Sequence, residues 1–139
     1  MSLKNNRVVI VGGTSGIGLE VAKAFRHAEA TVVISSRTTN KVEAAKELLG
    51  SSVSGYAFDF RDAEQLERFF KNVGEFDHLV VTAGEATMGP FASLPVERAK
   101  SSFDSKFWGQ YLTVKAALPY LNGYAGFVMD LGWSGRGIQ

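Results

Sequence analysis

The chain has 139 residues, enough to bury one core and few for a cofactor domain plus a separate substrate domain. A formal net charge of +1 gives no electrostatic case for nucleic acid or an anionic membrane surface, and the absence of cysteine removes disulfides, thiolate nucleophiles and zinc-thiolate sites. No stretch approaches the ~20 apolar residues of a membrane span, and the segment from Met1 to Arg7 lacks the apolar run of a signal peptide, so the sequence reads as soluble and cytoplasmic.

Apolar runs and helical stripes alternate along the chain. Val8-Val9-Ile10-Val11 predicts a first strand, and Ile17, Val21, Ala24, Phe25 and Ala28 recur at three and four residues as one face of a helix opening near Ser15. Thr31 to Ser35 is a β-branched second strand. Val42, Ala45, Leu48 and Leu49 mark a second helix closed by Gly50. A third strand is predicted over Val53 to Phe58, a third helix through Leu66, Phe69, Phe70 and Val73 to Gly74, and a fourth strand over Asp77 to Thr82. A looser stretch from Ala83 to Leu94 follows. Ser93 can cap the next helical region with Pro95 in its first turn, where a missing N–H is harmless. A long helix is predicted from about Phe103 to Leu121, and Phe127-Val128-Met129 is a short fifth strand.

This rhythm predicts an α/β fold, a parallel sheet of about five strands with right-handed crossovers and helices on both faces. The turn between the first strand and first helix reads Gly12-Gly13-Thr14-Ser15-Gly16-Ile17-Gly18. Glycine suits a turn that brings backbone against a pyrophosphate, and a helix opening there offers unpaired N–H groups and the positive end of its dipole. No Gly-Lys-Ser/Thr follows, which argues against a nucleotide-triphosphatase loop.

The spacing Gly12-x-x-x-Gly16-x-Gly18, with Thr14, Ser15 and Ile17, resembles the cofactor loop of the short-chain dehydrogenase/reductase family. The resemblance implies a Rossmann-like sheet in the order 3-2-1-4-5 and a nicotinamide dinucleotide in the cleft. Ser36-Arg37 falls at the end of the second strand, where an acidic residue would bind the ribose hydroxyls of NAD and an arginine would fork onto a 2′-phosphate, so NADP is favoured over NAD, with Thr38 and Lys41 able to assist. The alternative is a solvated arginine in a loop. The resemblance gives Asp59 to the adenine amino group and Phe60 to the adenine pocket; the other use of Asp59 or Asp62 is to cap the following helix. Thr82-Ala83-Gly84 is similar to the family's Asn-Ala-Gly segment, with Thr82 in place of the asparagine and Val81 in place of a second one; its plainer reading is an ordinary glycine turn after a strand.

Phe103, Phe107 and Tyr111 lie one helical turn apart, with Trp108, Leu112 and Val114 nearby, a stripe read first as core packing and second as an interface. The resemblance makes this long helix, or the edge of the fifth strand, the place for a homo-oligomer. Lys106 falls where the family usually has an asparagine that holds a water. His27 and His78 have no partners at ligand spacing, so no metal is proposed.

Members of the resembling family reduce carbonyls or oxidise alcohols with a Tyr-x-x-x-Lys pair on the helix after the fifth strand and a serine about a dozen residues earlier. The sequence given ends at Gln139, before that helix, and Tyr111 to Lys115 lies on the preceding one and is not taken into the active site. Leu131 falls near the serine position and Ser134 is the nearest hydroxyl, so the catalytic candidates are Ser134 and Lys106. The expectation is a single NAD(P)-binding domain over 1–139 that lacks the C-terminal part of the family fold and is catalytically incomplete. The alternative is a non-catalytic nucleotide-binding or assembly protein on the same scaffold.

Overall fold

A computed structural model describes residues 2–122 and 127–129. Five parallel strands, β1 (Arg7–Val11), β2 (Thr31–Ser36), β3 (Ser54–Ala57), β4 (His78–Val81) and β5 (Phe127–Met129), form one sheet in the order β3-β2-β1-β4-β5. This is the predicted topology. Strand β1 lies at the centre because its residues are apolar on both sides: Val9 pairs with Val33 and Leu79, and Ile10 with Ile34 and Val80.

Side-chain alternation then divides the core in two. Val8, Ile10, Val32 and Ile34 pack under α1 (Gly16–His27) and α2 (Thr39–Leu49), through Ala22, Ala45 and Leu49. Val9, Val11, Val33, Leu79 and Val81 pack under α3 (Ala63–Val73), through Leu66, Phe69, Phe70 and Val73, and against Ala117 of α5 (Gln110–Ala117). Phe70 is fully buried between the rings of Phe69 and Phe76, with centroids 4.9 and 5.8 Å away.

Several local expectations change. The third strand is shorter than predicted, since Val53 turns into the core before it and the Phe58 ring stacks on Phe69 at 4.4 Å after it. Ser93 does not cap the next helix: its hydroxyl turns back to the Pro90 carbonyl at 3.5 Å, and α4 (Val96–Phe103) begins after Pro95. The long helix predicted over 103–121 is a composite. It starts earlier, in α4, passes through a π-helical turn over Asp104–Gly109, continues as α5, and ends in a 3₁₀ turn at Leu118–Tyr120. Of the two aspartates after β3, one takes the helix cap. Asp62 caps α3, accepting from the N–H groups of Glu64 at 3.0 Å and Gln65 at 3.3 Å, which leaves Asp59 outside the cap.

At the N-terminal end of the sheet, Asp77 joins three segments. It accepts from the Arg7 N–H at 2.7 Å and from the Asn122 side-chain amide at 3.1 Å, while the Arg7 guanidinium donates to the carbonyls of Val73 and Glu75. The Arg7 N–H and the Asn122 amide hold the Asp77 carboxyl below the usual aspartate range, and Gln65 does the same for Asp62. In the unfolded chain both groups titrate near pH ~3.9. The unfolded state therefore takes up protons first as pH falls, so the stability these carboxylates add is complete above about pH 5 and is lost progressively as pH drops through the unfolded value toward the lower folded ones. The expected outcome is a steep fall in melting temperature between about pH 5 and pH 3 that becomes shallower in the double variant Asp62→Asn/Asp77→Asn, read by circular dichroism; an unchanged slope would assign the acid sensitivity to other groups.

Candidate functional site

The site is built at the C-terminal end of β1, where both neighbouring strands grip the outgoing chain. The Val11 carbonyl accepts from the N–H groups of Thr82 at 2.9 Å and Ala83 at 3.0 Å, and the Ser35 carbonyl accepts from those of Gly12 at 3.1 Å and Gly13 at 3.2 Å. Thr82 adds a bond from its hydroxyl to the Gly12 carbonyl at 3.1 Å. The hydroxyl standing where the sequence comparison led to an asparagine thus ties the end of β4 to the turn.

This convergence leaves no space for side chains. A Cβ on Gly12 would lie 2.5 Å from the Ala83 nitrogen, and one on Gly18 only 2.1 Å from the Gly12 carbonyl oxygen. Gly16 is glycine for another reason: its φ is +53° and nothing lies within 4 Å of an added Cβ. The first turn of α1 therefore opens on free space while the residues around it close-pack. Ser15, the N-cap residue, makes no side-chain capping bond. The first amides of a helix have no partner within it, and no Ser15 side-chain bond occupies them here.

A cleft of about 360 Å³ extends from this mouth, within the range of small-molecule sites. It is lined by Gly12, Thr14, Ser15, Gly16, Ile17 and Gly18 of the turn and α1. Ser36 and Arg37 line it from the end of β2, Phe60 from the segment after β3, and Thr82, Ala83 and Gly84 from the end of β4. The structure thus brings together the sequence-predicted cofactor residues, with one exception. Asp59 does not line the cleft; its carboxylate is taken by Arg61, whose Nε and Nη2 donate at 3.1 and 3.0 Å. That fork, strengthened by the Arg61 N–H, holds the Asp59 carboxyl below its usual range. The residue presented to the cleft there is Arg61, and Lys41 also lines it, whereas Thr38 is the N-cap of α2.

The wall opposite the turn was not foreseen. From Ala83 to Thr87, alternate residues are pinned to the α4–α5 helical run: Gln110 donates to the Ala83 carbonyl at 3.3 Å, the Ser105 hydroxyl accepts from the Glu85 N–H at 2.7 Å, and that of Ser102 from the Thr87 N–H at 2.8 Å. Ser105 and Gln110 are buried. The signal for this was the polar set Ser102, Ser105 and Gln110 within an otherwise aromatic stretch.

The catalytic candidates are not assembled. Lys106 lays its aliphatic stem along Gly84, whose added Cβ would meet the Lys106 Cδ at 2.9 Å, and it does not line the cleft. Ser134 lies outside the described residues. Tyr111 and Lys115 stand four residues apart on α5, the spacing of a Tyr-x-x-x-Lys pair, yet Tyr111 is 48 % exposed in a cluster with Phe107 and Trp108, and neither residue lines the cleft. Of the histidines, His78 pairs with Asn6 at 2.9 Å. Among the described residues no group of three potential ligands could hold a metal.

Comparison with known proteins gives consistent results. The model of the short chain dehydrogenase family matches residues 6–130. An 11-beta-hydroxysteroid dehydrogenase (1A) of Arabidopsis thaliana is 32% identical over 123 residues, which cover 82% of this chain and 35% of that protein. A 3-dehydrosphinganine reductase of the same plant is 31% identical over 121 residues, covering 84% of this chain and 37% of that protein. A solved short-chain type dehydrogenase/reductase from Mycobacterium ulcerans shares the fold with a TM-score of 0.80 at 24% identity, over 86% of this chain and 48% of that one. The chain thus spans between a third and a half of the length of these relatives.

The close approach at the turn yields a paired expectation. Gly18→Ala forces its methyl against the Gly12 carbonyl and is expected to destabilise the fold by about 1–3 kcal/mol. Thr82→Val, which removes only the hydroxyl bond, is expected to cost about 1 kcal/mol, and Thr82→Ser to restore most of it. Urea unfolding of the three variants checks the order.

Proposed function

Since the chain belongs to the short-chain dehydrogenase family, we propose that its cleft binds NADP(H) as the cofactor site of an oxidoreductase. One observation carries the reading: a helix mouth opened by Gly16 and walled by Gly12 and Gly18 shares a cleft with Arg37. The mouth fits a diphosphate through main-chain N–H groups, contributed by the segment from Thr14 to Gly18. Arg37 at the end of β2 fits a 2′-phosphate, and its chain neighbours Ser36 and Thr38 are not the acidic residue that would favour NAD. Phe60, Arg61, Ala83 and Gly84 shape the remaining walls, with adenine on the side of Phe60 and Asp59 acting there through Arg61.

The bound dinucleotide would supply a hydride donor or acceptor for a carbonyl or alcohol substrate. The residues of this chain do the holding: main-chain amides orient the diphosphate, Arg37 sets which dinucleotide is kept, and Thr82 keeps the turn closed on the sheet. Among the described residues we assign cofactor binding and no proton transfer, since Lys106 stands beside Gly84 rather than in the cleft. Turnover by this chain alone on a carbonyl panel is expected to stay at background.

A second reading, assembly on a nucleotide-binding scaffold, is favoured by the exposed aromatic face of Phe103, Phe107, Trp108 and Tyr111. The two readings are compatible in a homo-oligomer joined along this helical run. Trp108→Glu is expected to shift the sedimentation coefficient toward the monomer. The absence of cysteine is consistent with a cytoplasmic setting, and among the described residues no helix is long and apolar enough to cross a membrane.

The cofactor assignment is tested by fluorescence titration with NADPH and NADH. NADPH is expected to bind more tightly, and Arg37→Ala to weaken it about ten- to a hundredfold, the loss of a charge-assisted pair, with NADH unchanged. Equal affinities that Arg37→Ala leaves alone would remove the NADP assignment.

A further inference from the structure

Arg37 is already engaged. Its Nη2 pairs with the Glu85 carboxylate, and both residues line the cleft. Arg37 follows β2 and Glu85 follows β4, and the sheet order places β1 between those strands. The pair therefore reaches over the glycine turn that ends β1, across the cleft mouth from one wall to the other. Glu85 is not loosely placed: the buried Ser105 hydroxyl holds its main-chain N–H at 2.7 Å.

We propose that Glu85 is a cofactor-specificity residue, a carboxylate that competes with the dinucleotide's 2′-phosphate for Arg37. The inference rests on the NADP reading above and adds to it a residue that lowers affinity and sets its salt dependence. The charged groups around the mouth support the assignment. Both oxygens of Asp59 are held by Arg61, and Arg61 also feels the fields of Glu85 and Asp104. Lys41 adds a cation to the same lining. Glu85 is thus the anion whose displacement frees Arg37 for a phosphate. The side chains of the pair are 43 % and 67 % exposed, and exposed pairs of this kind are weak enough to exchange for a better one. A 2′-phosphate brings more charge and three acceptor oxygens, so the exchange favours it. A dinucleotide without that phosphate has nothing to offer Arg37, and the Arg37–Glu85 pair persists over it.

The test is fluorescence titration of the 139-residue chain with NADPH and with NADH, for the wild type, Glu85→Gln, Arg37→Ala and the double variant, with circular dichroism to check that each is folded. Glu85→Gln is expected to tighten NADPH about two- to fivefold at low salt and to leave NADH unchanged. The gain should vanish in the Arg37→Ala background and shrink at about 0.5 M salt, where the screening length falls well below 10 Å. If Arg37→Ala selectively weakens NADPH while Glu85→Gln leaves it unchanged or weakens it, the competition is overturned and the NADP reading stands. Equal tightening of both dinucleotides overturns it as well, since Glu85 would then merely obstruct the cleft. If Arg37→Ala does not discriminate between the two, or neither dinucleotide binds, the NADP reading fails and the inference goes with it.

Discussion

The structure depends on the approach of two backbone segments with nothing between them. The end of β1 and the end of β4 are joined by the Thr82 and Ala83 N–H groups on the Val11 carbonyl and by the Thr82 hydroxyl on the Gly12 carbonyl. Gly12 and Gly18 exist at this contact because a Cβ on either would stand inside hydrogen-bonding distance of main-chain atoms. The approach turns the first helix so that its mouth faces the cleft rather than the core. It also places the ends of β2 and β4 on either side of one opening, so that residues far apart in sequence line the same cleft.

A second set of bonds keeps the far wall in place. The segment after β4 has no regular structure of its own, yet Ala83, Glu85 and Thr87 are each bonded to a side chain of the α4–α5 run. The same run carries its aromatic side chains outward and passes through a π-helical turn at Asp104–Gly109. Such turns re-aim side chains relative to a continuous α-helix. Here the turn contains Ser105, which is buried against the cleft wall, and ends at Gly109, where a Cβ would lie 2.3 Å from the Phe60 ring. The helix therefore reaches both the Phe60 side and the loop side of the cleft.

What the sequence revealed follows from how local each signal is. The β-branched runs and the glycine turn are encoded by neighbours in the chain, whereas strand order and the gathering of Gly12 to Gly18 with Arg37 and Thr82 are non-local and were legible through the resemblance that the glycine turn carries. Asp59 and Asp62 were separable only in three dimensions, because which one caps α3 depends on the fork Arg61 makes with the other. Ser102 and Ser105 could not be read as pins without knowing which segment lies across from them. The helical break was hidden as well, since a π turn shifts the apolar face without changing composition. Tyr111 and Lys115 show the opposite hazard: a motif spacing is met on a helix that points the tyrosine away from the cleft.

The central claim is that main-chain amides at the opening of α1 receive a dinucleotide's diphosphate. Amide-resolved NMR of the chain titrated with NADPH addresses it directly. The account predicts that the largest shifts fall on the N–H groups from Thr14 to Gly18, saturating together with those of Arg37 and Ala83. Shifts confined to the opposite side of the sheet end, for example around Glu64 and Tyr120, or none at millimolar ligand, would contradict it.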